Sequence, residues 1–405
     1  MASTAANHPG TAGPRPDALA RSRVPFLVVS AALFVMLMAS NLATPLYAVY
    51  ERRFSFPAVE LTLIFATYAV VLVPSLLIFG SLSDRLGRRR VIAAGLTAGV
   101  ISLALFASAD AVPLLFAARA VQGLGTGLLS AAASAALVEL EPSGHHGRAA
   151  VAIVLGNTGG SASGPLVAGA LAQWAPDRLQ LCFLVGIALL VLAFVGVLSV
   201  RDPVAPVGRW RLQRPSVPRP VLGTFARASV TGAAVWAVGA LFLSVVPSYA
   251  SELLRTGNLA LLGAIAALML ASACSAQLLL LRIEVNTRVA QGAGLAAVAV
   301  GVGLLVAAFP LRSLPVVLAA AILAGLGQGV ALLGAQMEIN LLAPGERRGE
   351  VMAAFITCLY AGVAVATVVT GLLADGYGLR TAVEIIGGAL SVVALIATSW
   401  HLMSG

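Results

Sequence analysis

The second half of this chain repeats the first at a constant spacing of 202 residues. Identical residues recur at this spacing with no insertion or deletion between the first match and the last. The matches are Pro45 with Pro247, Tyr47 with Tyr249, Gly123 with Gly325, Gly125 with Gly327, Gly127 with Gly329, Gly147 with Gly349, and Gly169 with Gly371. Single matches mean little in a chain with 41 glycines. A proline, a tyrosine and five glycines in one register indicate a duplicated unit.

The composition places both halves in lipid. Hydrophobic residues make up 60% of the chain and charged residues 10%, whereas a soluble domain carries about 25% charged residues. A helix needs roughly 20 apolar residues to cross a bilayer. Twelve such runs occur, six in each half, and we number them spans 1 to 12. Their ranges are 25–49, 58–81, 91–109, 112–138, 150–174, 180–200, 224–249, 258–281, 290–309, 315–341, 351–374 and 381–401.

These spans predict an all-α membrane protein built from two six-helix bundles, residues 24–200 and 223–405. Residues 1–23 are expected to form a disordered cytoplasmic tail, because they have little to bury. Residues 201–222 carry five arginines and five prolines and are expected to form a cytoplasmic linker. This linker either docks on anionic lipid or is solvated.

The basic charge indicates orientation in the membrane. All 25 basic residues are arginine, and the net charge is +9. With the N-terminus inside, 18 arginines fall on the cytoplasmic side, six on the other side, and Arg119 alone lies within a span. This bias predicts a multi-pass protein of the cell inner (cytoplasmic) membrane with both termini cytoplasmic. It argues against a nucleic-acid partner. The three scattered cysteines predict neither a disulfide nor a metal site, and no cofactor is expected.

The loop between spans 2 and 3 has a distinctive sequence, GSLSDRLGRRR, at residues 80–90. Gly80 and Gly87 permit a tight turn between the two helices. Asp84 can accept charge-assisted hydrogen bonds from neighbouring arginines. Those arginines are Arg85, Arg88, Arg89 and Arg90. This string resembles, position for position, the signature loop of the major facilitator superfamily of transporters.

The resemblance implies a latch that changes with conformation. In that family, the Asp and Arg residues of this loop hold the two bundles together on the cytoplasmic side when the cavity faces outward. Asp84 would then face the N-terminal end of span 11, near residues 349–351. The repeat places Asn286 at the equivalent position in the second half. The latch is therefore expected in one half only.

Span 4 carries a charge that is unusual inside a membrane. An arginine at the centre of a span costs about 2.5–3.5 kcal/mol on insertion scales and marks a candidate functional site. Arg119, Gln122 and Gly123 resemble the fourth-helix motif of the superfamily, whose arginine is implicated in proton or substrate handling. The repeat equivalent of Arg119 is Ala321. Alternatively, Arg119 is structural and bonds to carbonyls of a neighbouring helix.

Span 5 reads GSASGPLVAG at residues 160–169. Gly160 and Gly164 allow close approach of another helix, and Pro165 removes a backbone donor and is expected to kink the span. Together with Gly169, these residues resemble the signature of the antiporter branch of the superfamily, although Ala168 replaces one of its paired glycines. The resemblance implies export by antiport.

Polar and aromatic residues inside the spans are candidates for a substrate cavity. They are Asn41, Tyr68, Asn157, Trp236, Gln328, Gln336 and Tyr360, besides Arg119, Gln122 and Gln277. Each could instead make a satisfied contact between helices. None is acidic, and a mostly apolar cavity suits amphipathic compounds. The acidic candidates for proton binding, Glu60 and Glu338, lie near the ends of their spans.

The resemblance covers nearly the whole chain and implies an exporter of drugs or small amphipathic metabolites, driven by proton antiport. The protein is expected to be a monomer. An uptake permease for a sugar or another small nutrient is the alternative within transport. A receptor or scaffold that keeps the transporter fold is the alternative of another class. An enzyme is not expected, because no nucleophile–base pair, metal cluster or phosphate-binding loop occurs at a suitable place.

Overall fold

The computed structural model describes residues 23–80, 82–175, 179–202 and 214–403. Most of the predicted tail, which ends in the described helical residue Arg23, and the central part of the predicted linker lie outside these ranges. Within the described residues, every regular element is helical. The predicted all-α class is confirmed.

Eleven helices of the described chain are long and apolar enough to cross a membrane. They correspond to every predicted span except span 5. In chain order they are Arg23–Phe54, Ala58–Phe79, Arg88–Ala107, Val112–Leu140, Leu181–Leu198, Arg219–Ser244, Leu259–Leu280, Thr287–Leu311, Leu314–Leu342, Arg348–Tyr377 and Leu379–Met403. We call the end of the bundle that carries residues 80–90 the motif end, and the other the opposite end.

Span 5 is helical but interrupted. It consists of an α-helix at His146–Val154, a π-helical turn at Leu155–Gly159, and an α-helix at Gly160–Trp174. The irregular turn coincides with the sequence LGNTG, whose glycines and asparagine hold a regular helix weakly. Pro165 lies within the second α-helix, after the π turn, and the kink expected there stays a prediction.

The repeated proline marks a break in the first helix of each half. In span 1, the helix Arg23–Ser40 ends before a short 3₁₀ turn at Thr44–Leu46, and the helix resumes at Tyr47. In span 7, the helix Leu222–Ser244 is followed by a separate helix, Val246–Leu254. Pro45 and Pro247 each sit in the first turn of the new segment. Proline suits that position because the first turn needs no amide donor.

The repeated glycines of spans 4 and 10 let three helices pack at backbone contact. A Cβ added at Gly123 would lie 2.5 Å from the Tyr68 carbonyl oxygen in span 2, and one at Gly125 would lie 2.8 Å from the Gly95 carbonyl oxygen in span 3. In the second half, Gly325 meets the Met269 carbonyl oxygen of span 8 and Gly327 meets Gly294 of span 9. The Gly-x-Gly-x-Gly pattern therefore lets the fourth helix of each half pack closely against a neighbour on two of its faces.

The two halves meet through spans 2 and 11 and through spans 5 and 8. These pairs are related by the repeat, since spans 2 and 8 are equivalent and so are spans 5 and 11. Any movement of one half against the other must therefore change both contacts.

We expect Gly325→Ala to destabilise the folded protein by about 1–3 kcal/mol, because its added methyl group overlaps the Met269 carbonyl oxygen. Gly303→Ala is the matched control, since a Cβ there meets nothing within 4 Å. Thermal unfolding in detergent measures both. Equal midpoints for the two variants would show that span 10 can shift to accept the methyl group.

Candidate functional site

The motif loop is tied to span 4 through Arg88. Its guanidinium lies 2.6 Å from the Asp84 carboxylate and 2.8 Å from Glu139 at the end of span 4. It also donates to the Ser83 hydroxyl. The Asp84 side chain is 52% exposed. In this conformation, Asp84 bonds within its own loop, and its expected contact with span 11 stays a prediction.

An acid that the sequence analysis missed completes the loop. Asp202, just beyond span 6, accepts a hydrogen bond of 2.7 Å from the Arg89 backbone N–H and so caps the N-terminus of span 3. Gly87 has φ +93°, and a Cβ there would overlap the Asp202 carboxylate. Glycine is thus required twice at this position. The capping acid lies 113 residues from its partner, so local spacing gave no signal for it.

The second half caps the equivalent helix differently. Asn286, which replaces Asp84 in the repeat, accepts from the backbone N–H of Arg288 at 2.9 Å and of Val289 at 3.4 Å. It therefore serves as the N-cap of span 9. The buried acid at the motif end of the second half is Glu338, near the end of span 10.

Glu338 is the centre of a buried polar cluster. Its carboxylate accepts from Arg227 of span 7 at 2.8 Å and from the amide of Gln291 of span 9 at 2.6 Å. Arg227 is 5% exposed and lies inside the helix of span 7. Arg119 is therefore not the single arginine within a span. Arg227 already falls within the predicted range of span 7, but it was grouped with the cytoplasmic arginines because it stands only a few residues beyond the predicted linker.

The same cluster reaches span 12. His401 is 3% exposed, and its Nε2 lies 2.9 Å from the Thr231 hydroxyl of span 7. Arg288 lies 3.9 Å from Glu338 at the rim. Spans 7, 9 and 10 therefore meet around one carboxylate, which charge-assisted hydrogen bonds hold in place, and span 12 joins the cluster through Thr231.

The loop after span 4 is organised by Glu141. Its carboxylate accepts from the Ser143 hydroxyl at 2.8 Å and from the amides of Ser143 and His145 at 2.9 and 2.7 Å. Burial acts to raise the pKa of this carboxyl, but the hydrogen bonds outweigh it and lower the pKa below its ordinary value. The carboxylate therefore stays ionised and keeps the turn closed at neutral pH.

Arg119 is buried in the first half. Only 2% of it is exposed, and it donates to the Ser40 carbonyl at 3.0 Å, to Gln122 Oε1 at 2.5 Å and to the Tyr47 hydroxyl. The bonds to Ser40 and Tyr47 connect span 4 to the two segments of span 1, on either side of its break. The structure thus brings Arg119 and Gln122 together, with Tyr47 as a further partner.

Aromatic rings surround the Arg119 guanidinium. Its central carbon lies 5.2 Å from the centroid of Tyr47, 5.4 Å from Phe65, 5.8 Å from Tyr68 and 5.7 Å from Phe106. Cation–π attraction to these rings offsets part of the cost of burying the charge. Its hydrogen-bond partners in the described chain are neutral oxygens, and its Nε has no partner. The site therefore holds an uncompensated positive charge.

The signature glycines of span 5 face span 1, and the end of the signature faces span 8. A Cβ at Gly160 would lie 2.5 Å from the Phe34 carbonyl oxygen, and one at Gly164 would overlap that of Met38. The carbonyl of Pro165 contacts Gly263, and Gly169 approaches Leu259. Span 5 therefore packs closely against span 1 of its own half and span 8 of the other half.

Some of the cavity candidates meet at the boundary between the halves, since Tyr68, beside Arg119, shares a side-chain hydrogen bond with Tyr360. Trp236 and Tyr360 meet edge to face, with ring centroids 4.8 Å apart. Asn41 and Asn157 bond back to their own helices, at Leu37 and Ile153. Gln328 is 7% exposed and packs on Gly239, with its side-chain oxygen unpartnered.

The remaining candidates lie on spans 10 and 8. Gln336 is half-buried on span 10. Gln277 of span 8 accepts a hydrogen bond of 2.8 Å from Thr158 of span 5, and so takes part in a contact between the halves.

A cavity of about 430 Å³ lies between the halves at the opposite end. Its lining includes three carboxylates, Glu51, Glu252 and Asp375, together with Ser248 and Thr370. None of the predicted cavity candidates lines it.

Comparison with known proteins identifies the relatives of this chain. A family model described as Major Facilitator Superfamily matches residues 29–310. The chain is 37% identical over 107 residues to the multidrug efflux pump LfrA of Mycolicibacterium smegmatis, covering 26% of this chain and 21% of that pump. It is 28% identical over 105 residues to the bacillibactin exporter of Bacillus subtilis, covering 25% of this chain and 26% of that exporter. The matches thus span about a fifth to a quarter of these relatives.

The fold has a close counterpart among solved structures. The nucleoside transporter NupG superposes with a TM-score of 0.72 over 93% of this chain and 99% of that chain, at 13% identity. Identity this low shows a shared fold alone.

We expect Glu338→Ala to lower the free energy of unfolding by about 3–5 kcal/mol, because it leaves Arg227 buried without its carboxylate. The double variant Arg227→Met/Glu338→Leu should recover most of that loss, since apolar side chains of similar volume replace the pair. Thermal unfolding in detergent measures both.

Glu384→Ala is the control for this prediction, because it removes an exposed pair with Arg380 that is worth about 0–1 kcal/mol. A Glu338→Ala protein as stable as Glu384→Ala would mean that the cluster does not hold the second half together.

Proposed function

The chain belongs to the major facilitator superfamily, and from this premise we propose that it exports drugs or small amphipathic metabolites in exchange for protons, by alternating access. It is a multi-pass membrane transporter rather than an enzyme. The proposal adds direction, substrate class and coupling ion to that assignment.

The observation that carries the proposal is the position of the antiporter signature on span 5. Its residues touch span 1 at Gly160 and Gly164, and span 8 at Pro165 and Gly169. A span in backbone contact with both halves transmits any change on one side to the other. The two curated relatives, an efflux pump and an exporter, support the same direction.

Arg119 is proposed as the residue that couples substrate or proton movement to conformation. Its bonds to Ser40 and Tyr47 cross the break in span 1. An anionic substrate, or an acidic group that has lost its proton, would compete for the same guanidinium. Arg119 would then no longer hold together the two segments of span 1. Gln122 and Gly123 support this role, the first by a direct bond and the second by close packing on span 2.

The motif loop is proposed as the cytoplasmic latch. The arginine bias would place the motif end in the cytoplasm, with both termini on that side, in the inner membrane. In the present conformation Arg88 shares its charge between Asp84 and Glu139. When the motif end closes, Asp84 would instead cap the N-terminus of span 11. We propose that the transporter acts as a monomer.

Uptake of a polar nutrient is the second candidate function. It is favoured by the buried, unpartnered amide oxygen of Gln328, which can accept a hydrogen bond from a polar substrate. The nucleoside transporter with the same fold is compatible with this candidate. The direction of flux separates it from export.

We expect Arg119→Ala to reduce export by about tenfold to a hundredfold, because charge-assisted hydrogen bonds worth about 1.5–3 kcal/mol are lost. Susceptibility of an efflux-deficient bacterial host to a panel of toxins and antibiotics measures it, at matched expression. Arg119→Lys should recover little, because lysine cannot reproduce the planar fork. Arg53→Ala, an exposed arginine, is the control.

Three outcomes decide this prediction. Resistance that vanishes in Arg119→Ala supports export and the role of Arg119. Resistance that survives in the variant supports export but assigns Arg119 a structural role. A panel without any protection by the wild type contradicts broad drug export and directs the search to nutrient uptake.

We expect Asp84→Asn to insert and fold normally but to transport several-fold more slowly, since the latch loses a charge worth about 0.3–1 kcal/mol at a helix N-terminus. Asp110→Asn, at an exposed site at the opposite end, is the control. Initial rates of substrate flux, normalised to protein amount, measure both. Wild-type rates in Asp84→Asn would remove the latch from the mechanism.

A further inference from the structure

Two side chains at the opposite end reach across the boundary between the halves. The Asp375 carboxylate, at the end of span 11, accepts hydrogen bonds from the backbone N–H of Ala58 at 2.7 Å and of Val59 at 3.2 Å, in the first turn of span 2. The Gln173 side-chain oxygen, at the end of span 5, accepts from the backbone N–H of Leu259 at 2.9 Å, in the first turn of span 8.

These two contacts are equivalent in the repeat. Residue 173 plus the spacing of 202 residues is residue 375. Each side chain comes from the end of one helix and caps the N-terminus of a helix in the other half. Because the residues differ in type, a search for identical residues does not find this pair.

The glycines one turn earlier are equivalent as well. A Cβ at Gly371 would overlap the Thr62 hydroxyl and would lie 2.8 Å from the Val59 Cα. A Cβ at Gly169 would lie 2.6 Å from the Leu259 carbonyl oxygen. Each glycine lets the two helices approach closely enough for the neighbouring side chain to reach the helix N-terminus. The repeat therefore conserves the close approach and varies the capping group.

We propose that Asp375 and Gln173 form a two-fold gate that holds the opposite end closed, and that releasing either bond favours opening at that end. The amides that they cap belong to the other half, so the bonds exist only while the halves touch there. Opening leaves those amides without their acceptors, which makes both caps specific to the closed conformation.

The two halves of the gate are unequal. Span 8 has its own N-cap, since the Asn258 side chain accepts from Leu261 at 3.1 Å. Span 2 begins after Pro57, which supplies no side-chain cap, so it depends on Asp375. The Asp375 carboxylate also carries a negative charge, which the positive end of the helix dipole favours. Loss of Asp375 should therefore open the gate further than loss of Gln173.

The test follows exposure of a cysteine beneath the gate. Thr62 is 1% exposed in the closed conformation, and Thr62→Cys keeps a side chain of similar size. A membrane-impermeant maleimide is applied to intact cells, and separately to inverted vesicles. The protein without Thr62→Cys sets the background from its three native cysteines. The labelling rate follows the population of the open conformation when opening is fast.

We expect Asp375→Ala to raise the labelling rate from outside by about fivefold, because span 2 has no other side-chain cap. We expect Gln173→Ala to raise it by about twofold, because Asn258 still caps span 8. Asp375→Asn, which keeps one acceptor oxygen, should raise it less than Asp375→Ala. Glu384→Ala is the control, because Glu384 bonds to Arg380 within span 12. Size-exclusion profiles confirm that each variant is folded.

The Gln173 variant decides between a gate and a local cap. Gln173 contacts span 8, whereas the reporter lies on span 2, so faster labelling in Gln173→Ala requires the halves to separate as units. Faster labelling in Asp375→Ala alone would mean local fraying and would overturn the proposal, as would unchanged labelling in both. The proposal rests on alternating access, but labelling needs no substrate, so it can fail or succeed independently of export.

Discussion

Close contact between helix backbones is the constraint on which the rest of this structure depends. In lipid, apolar side chains gain little by leaving their solvent, so helices associate through van der Waals packing and hydrogen bonds at short range. The glycines of spans 4 and 10 bring the fourth helix of each half into close contact with two neighbouring helices. Gly169 and Gly371 do the same between the halves. A single added methyl group at Gly123, Gly325 or Gly169 meets backbone atoms, and at Gly371 it meets the Thr62 hydroxyl as well as the Val59 Cα.

Close packing makes the placement of charge costly, and the two halves meet that cost differently. The first half buries Arg119 among aromatic rings and neutral oxygens. The second half pairs Arg227 with Glu338 and surrounds them with Gln291 and His401. A paired charge is a stable contact between helices, whereas an unpaired one attracts a new partner. The asymmetry supports a coupling role for the first half and a structural role for the second.

Several features could be predicted because each depends on neighbouring residues. Eleven spans and the tight turn at Gly87 follow from local hydrophobicity and spacing. Other features could not, because the partners lie far apart along the chain. Asp202 caps span 3 from 113 residues away, and Arg227 reaches Glu338 across 111 residues. The π turn at residues 155–159 of span 5, where Gly156 packs against Leu33 of span 1, was not predicted either.

By itself, the sequence determined the duplicated plan, the membrane environment and the family of this protein. Those properties are sums over many residues or belong to short, contiguous motifs. Only the tertiary structure decided which side chains cross between the halves, as Asp375 and Gln173 do. Such bonds require an acceptor and a helix N-terminus to meet within about 3 Å. That coincidence is created by the packing of whole helices and leaves no mark in local sequence.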